Sequence, residues 1–103
     1  MYWADFSPTR GREQAGQRPV LIISHEPFNI RMDVVISLAI TSKPQRTGYP
    51  LTYQLHSGNL PRESWVKMSQ VRTISTERLG TRIGAISADE LREIVEGLVE
   101  LVA

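Results

Sequence analysis

The sequence contains no cysteine, which removes disulfide, thiolate–metal and cysteine-nucleophile chemistry together. Its two histidines, His25 and His56, lie too far apart for ligand spacing, so no metal site and no cofactor are expected. No apolar run approaches the ~20 residues that a membrane span needs. The opening Met1-Tyr2-Trp3-Ala4-Asp5-Phe6 lacks the basic start and apolar stretch of a secretion signal, and a cytoplasmic protein is expected. Internal repeats and low-complexity tracts are absent too, which excludes solenoids and arrays.

What is present is an ordinary globular composition, 41% hydrophobic and 22% charged. At 103 residues the chain has room for one core, and a single domain over 1–103 is expected. A chain this short buries little surface alone, so a homodimer is the expected way to add core. The net charge of +1 hides an asymmetry. Met1 to Arg82 carries 11 Lys/Arg against 6 Asp/Glu, or +5, whereas Ile83 to Ala103 has Arg92 against five acids, or −4. A basic body permits a polyanion there, and the acidic end reads equally as a helix with a solvated face.

Hydrophobic patterning predicts a series of short strands and one helix. Tyr2–Phe6 is strand-like, and Ser7–Gln17 is polar with Ala15 as its only apolar residue, the pattern of an exposed, mobile loop. Pro19–Ser24 and Val34–Thr41 are continuous apolar runs rich in branched residues, hence buried strands. Glu26-Pro27-Phe28-Asn29 is a break between them, and 42–50, with Pro44, Gly48 and Pro50, is a loop. Leu51–Leu55 alternates as a half-wet strand, and Ser64–Ser75 is strand-forming. One more short segment lies between Gly80 and Gly84. Ser87-Ala88-Asp89-Glu90 is a capping box that starts a helix. Its stripe of Leu91, Ile94, Val95, Leu98, Leu101 and Val102 should pack on the sheet. Gly97 costs that helix roughly 1 kcal/mol relative to alanine. The fold class is therefore mainly β with a C-terminal helix, a small, strongly curved antiparallel sheet or barrel.

Function enters through the polar loop and its flanks. Trp3-Ala4-Asp5-Phe6, then Pro8-Thr9-Arg10-Gly11-Arg12-Glu13-Gln14-Ala15-Gly16-Gln17-Arg18-Pro19, then an apolar strand, closely resembles the N-terminal signature of the MazF/PemK toxins. Ile40-Thr41-Ser42, Gly48-Tyr49-Pro50, Gln70-Val71-Arg72-Thr73-Ile74 and Arg82-Ile83-Gly84 match further on, so the resemblance spans nearly the whole chain. It implies an SH3-like barrel, a homodimer and metal-independent, sequence-specific cleavage of single-stranded RNA. It also implies a MazE-like antitoxin whose acidic C-terminal tail covers the RNA site.

Metal-free RNA cleavage uses the ribose 2′-hydroxyl as nucleophile, leaves 2′,3′-cyclic phosphate and 5′-hydroxyl ends, and spares DNA. It needs a proton acceptor, donors for the phosphorane's charge and a proton for the leaving oxygen. Arg18, where the loop meets a buried strand, suits the second need, since a guanidinium offers forked donors and stays charged. Thr41 can donate a hydroxyl hydrogen bond to the same phosphate, and the resemblance puts an active-site threonine at this position. Glu13 is the one carboxylate of the loop and the candidate to act as the base or to orient it. Arg10, Arg12 and Gln14 are RNA-binding candidates, and Lys43 and Arg46 extend the basic track. Phe28 is the aromatic candidate for stacking on bases, with Trp3 and Trp65 read as core or interface.

The chain also departs from the family pattern. Some relatives carry an aspartate just before the glutamine of the Gln70-Val71 strand, where this sequence has Ser69, with Lys67 two residues earlier. Two other readings accordingly stand beside cleavage. One is a non-catalytic barrel toxin that binds a protein such as gyrase, and the other is an inactive paralogue that sequesters antitoxin.

Overall fold

Branched apolar residues at successive positions make Val34–Thr41 a strand with both faces buried, and it becomes the sheet's central member. The computed structural model describes residues 1–6 and 16–103; the predicted loop falls largely on 7–15 and lies outside the described residues. In chain order the elements are β1 (Tyr2–Asp5), β2 (Gln17–Ile22), α1 (Glu26–Met32), β3 (Val34–Thr41), β4 (Thr52–Gln54), β5 (Trp65–Ser75), β6 (Leu79–Arg82) and α2 (Ala88–Val102). The six strands form one antiparallel sheet in the order β4-β5-β3-β2-β1-β6, curved like a barrel but not closed.

The curvature has a local cause in β5. Leu38 of β3 pairs with Val71, yet the next residue, Ala39, pairs with Lys67. Met68, Ser69 and Gln70 are thus extra residues on β5, and absorbing them bends the strand and increases its twist. Before the bulge β5 bonds both β3 and β4; after it, β3 alone. Residues brought to one face on either side of the bulge include Lys67 and Arg72.

The main core lies under α2, where Leu38, Val66, Met68 and Ile94 are fully buried. A smaller cluster of Ala4, Val20, Val35 and Ile74 fills the other face. The predicted apolar stripe of α2 packs only in part. Ile94 is buried, whereas Val95, Leu101 and Val102 are exposed. The helix meets the bent sheet along a narrow line, Glu90–Ile94–Gly97, and Gly97 occupies the closest approach. A Cβ there would lie 2.9 Å from both Met68 Cε and Tyr49 Cε2. Gly97→Ala should therefore add no stability despite its better helix propensity. Gly97→Leu should cost about 3 kcal/mol by overpacking, read from urea midpoints at constant slope.

The sequence places a break at Glu26–Asn29, but the chain forms α1 from Glu26 to Met32. Pro27, read as a breaker, sits in the first turn, where a missing N–H costs nothing. Asp33, with φ 56°, ends the helix in the left-handed region and feeds β3. Strand β3 has the predicted bounds, and β4 is shorter than Leu51–Leu55.

Candidate functional site

Two clefts meet at one group of residues on the sheet. One, of about 400 Å³, is lined by Phe6, Ser37, Lys67, Gln70 and Arg72 among others. The second, of about 590 Å³, includes Trp3, Gln17, Ser42, Arg62 and Ser64. Arg18, Pro19, Ile40 and Thr41 line both. The β2–β3 register explains the junction. The ladder ends at Val20 and Ala39, so Arg18 and Thr41 each lie two residues beyond its last pair, at the same open end of both strands.

Arg18 is exposed, and its Nη1 donates to the carbonyl of Gln17 at 2.8 Å. That contact folds the guanidinium back along β2 while leaving its other donors available. Thr41 Oγ1 accepts from the Lys43 backbone N–H at 3.1 Å. With its acceptor side engaged, the hydroxyl can direct its own hydrogen elsewhere. Four cations, Arg18, Arg62, Lys67 and Arg72, line the two clefts, and none of the described residues lining them is Asp, Glu or His. Arg72 is held over the Phe6 ring, its guanidinium carbon 4.3 Å from the centroid.

Of the other sequence candidates, Glu13, Arg10, Arg12 and Gln14 lie outside the described residues. The chain leaves and re-enters that segment at the clefts, because Phe6 N–H donates to Gly16 O at 2.9 Å and Phe6 lines the first cleft. Lys43 and Arg46 are exposed on the loop after β3, near Thr41 in sequence but lining neither cleft. Phe28 is not brought to the junction. It sits on α1 at the other end of β3, roughly 20 Å from Thr41 by strand rise. Trp3 instead lines the second cleft.

Sequence reasoning did not assign Lys67, Gln70, Arg72 and Arg62 to the site. Alternation along β5 would have separated Lys67 from Arg72, and the bulge that unites them has no composition signal. Ser69 is exposed within the bulge and lines neither cleft.

A third, wider cleft lies at the β4 edge of the sheet. Here Glu90, buried, accepts hydrogen bonds from Tyr53 Oη (3.0 Å), the His56 N–H (2.9 Å) and the Ser57 hydroxyl. Burial pushes its carboxyl up, but the bonds from Ser57, His56 and Tyr53 outweigh this and hold it below the usual carboxylate range. The Ser87 hydroxyl accepts from the Glu90 N–H, as the capping box predicts. The reciprocal half differs, since the Ser87 N–H donates to Ser57 Oγ, which in turn donates to Glu90.

An exposed guanidinium and an oriented hydroxyl, facing two cation-lined clefts on a curved antiparallel sheet, define a small β protein with a site suited to a polyanion. Residues 1–102 match the family of PemK-like, MazF-like toxins of type II toxin–antitoxin systems. The chain is 35% identical over 101 residues to endoribonuclease MazF2 of Mycobacterium bovis and equally to endoribonuclease MazF6 of Mycobacterium tuberculosis; each alignment covers 95% of this chain and 89% of the relative. MazF from Deinococcus radiodurans superposes with a TM-score of 0.77 at 27% identity, covering 98% of this chain and 90% of that one. A mycobacterial endoribonuclease in complex with its cognate antitoxin shares the fold, with a TM-score of 0.75 at 20% identity over 96% of this chain and 86% of that one. The chain belongs to the PemK/MazF toxin family. Among its described residues no helix is long and apolar enough to cross a membrane.

Proposed function

We propose that this toxin is a metal-independent, sequence-specific endoribonuclease acting on single-stranded RNA at the Arg18–Thr41 junction. The observation that carries the reading is that both residues line both cation-rich clefts, so a strand laid across them places one phosphate at the junction. The ribose 2′-oxygen attacks that phosphorus, its proton passes to a base, and the 5′-oxygen departs with a proton. Arg18 stabilises the charge on the phosphorane oxygens, and Thr41 donates its hydroxyl hydrogen to the same group. Glu13 is the proposed base or the group that orients it, on a segment flanked in the chain by Phe6 and Gln17, which line the clefts. Arg10, Arg12, Gln14, Lys43 and Arg46 contact the flanking strand, and Lys67, Arg62 and Arg72 join them. Phe28 loses its proposed stacking role to Trp3, which stands beside Arg18 in the second cleft.

The curated relatives are named endoribonucleases, and solved MazE–MazF complexes from Deinococcus radiodurans share the fold. The toxin's partner in this reading is a MazE-like antitoxin, whose acidic tail complements the four cations. The toxin works as a cytoplasmic homodimer of one-domain chains.

Mixed-sequence RNA incubated with the protein in excess chelator tests this. Cuts at a short recurring sequence with 2′,3′-cyclic phosphate and 5′-hydroxyl ends, and none in the matching DNA, are expected. RNA left intact while the protein binds gyrase tightly would replace cleavage with the non-catalytic reading. Intact RNA with tight antitoxin binding alone would favour the sequestering paralogue.

A further inference from the structure

The third cleft, about 830 Å³, is not used by the proposed RNA chemistry. Thr52, Tyr53 and Gln54, three successive residues of β4, all line it. Successive strand residues point to opposite faces, so a cleft touching all three runs along the outer backbone edge of the strand. β4 is an end strand of the sheet, so that edge is open.

The hydrogen-bond register says which groups it offers. Met68 N–H bonds Leu51 O, and Leu55 N–H bonds Ser64 O, both within the β4–β5 register. Antiparallel pairs alternate, so Leu51, Tyr53 and Leu55 turn their backbone groups toward β5 while Thr52 and Gln54 turn theirs outward. Thr52 N–H is taken by Gly48 O. The Gln54 N–H and C=O remain facing the cleft, and no described residue takes them up.

Side chains around this edge add charge and aromatic surface. On the α2 side stand Glu90, Glu93, Tyr49 and Tyr53, the two tyrosine rings edge to face at 6.5 Å. Glu90 is buried and engaged by the His56 N–H and the Ser57 hydroxyl, whereas Glu93 is exposed and shares the single Tyr53 hydroxyl hydrogen with Glu90, its Oε2 lying 2.9 Å from Tyr53 Oη. Among the described residues, no Lys or Arg lines the cleft. We infer that this edge is a β-strand-addition site for an extended peptide carrying a lysine or arginine, paired to the Gln54 backbone with its cation seated against Glu93, Tyr49 and Tyr53. Main-chain bonds supply the register and the acidic, aromatic wall supplies the selectivity. This cleft shares no lining residue with the two that meet at the Arg18–Thr41 junction. The site therefore stands independently of the RNA-cleavage reading.

The probe is a capped, fluorescent pentapeptide of alternating valine and arginine, with a valine–glutamate peptide as control. Binding is read by anisotropy and by amide chemical shifts of the full chain. The arginine peptide should bind roughly tenfold more tightly than the control. Its shifts should centre on Gln54 and Tyr53, with the Gln54 amide protected from exchange. Gln54→Pro removes the outward N–H together with the exposed side-chain bond to Glu63, and edge strands tolerate it, so binding should weaken severalfold with the circular dichroism unchanged; Gln54→Ala, which loses the Glu63 bond alone, should bind as wild type. Glu93→Gln, on the exposed helix face, should weaken it roughly fivefold and flatten its salt dependence. Equal binding of both peptides, shifts centred on Arg18 and Thr41, or unchanged affinity in Glu93→Gln would overturn the inference. So would displacement of the peptide by a single-stranded DNA oligonucleotide that itself shifts Gln54 and Tyr53, which would make the cleft a nucleic-acid groove.

Discussion

Arg18→Ala should lower kcat for RNA cleavage about 10²- to 10³-fold while leaving the protein folded. The magnitude is that of removing one preorganised donor to a developing oxyanion, roughly 3–4 kcal/mol. The fold should survive because Arg18 is exposed and its guanidinium bonds the neighbouring Gln17 carbonyl. Arg18→Lys keeps the charge but loses the forked geometry, so it should fall between wild type and alanine. Thr41→Val, which keeps the branched shape and removes the hydroxyl, should show a smaller loss confined to kcat. Single-turnover cleavage of a saturating oligonucleotide separates these from binding defects. A loss below threefold in Arg18→Ala would remove the guanidinium from the chemistry.

Glu90→Ala should destabilise the fold by about 3 kcal/mol, through hydrogen bonding rather than lost apolar area. The substitution strands the His56 N–H and the Ser57 hydroxyl around an emptied buried site and leaves the Tyr53 hydroxyl with Glu93 alone. Ser57 also carries the Ser87 N–H, so the start of α2 loses its indirect tie as well. Glu90→Gln should cost less, because its amide oxygen still accepts while its NH₂ faces donors.

The same carboxylate sets an acid limit. Its pKa in the fold lies below the ordinary 4.5, so its stabilising contribution is complete above that value and is lost as the pH falls through the lower, folded one. Urea midpoints measured downward from pH 5 should therefore drop more steeply for wild type than for Glu90→Gln. Parallel curves would mean that Glu90 does not drive the acid loss.

How much of this was legible in advance depends on the range of the interaction involved. Val34–Thr41 declares itself as a strand because its branched, apolar run needs burial on two faces whatever its partners. Ser87 declares a helix start because its hydroxyl satisfies an amide three residues away. Arg18 and Thr41 were legible as candidates through the match of the flanking segments to a known signature. Their juxtaposition needed the β2–β3 pairing. Pro27 misled because the same residue that ends one element is well placed to open another. Glu90 was visible only as half of a capping box, since its three donors come from residues 33 to 37 positions away.

The sequence by itself determined the main strands and the terminal helix, the mainly β class, the charge asymmetry and the family, all properties of local pattern or direct residue matching. Only the tertiary structure decided which cations share a cleft, which side of α2 is buried and which strand edge stays open. Those depend on long-range register, on a three-residue bulge in β5 and on the close approach of Gly97 to Met68 and Tyr49. Interactions between residues far apart in the chain leave no periodicity in it, because their partners are chosen by how the sheet bends.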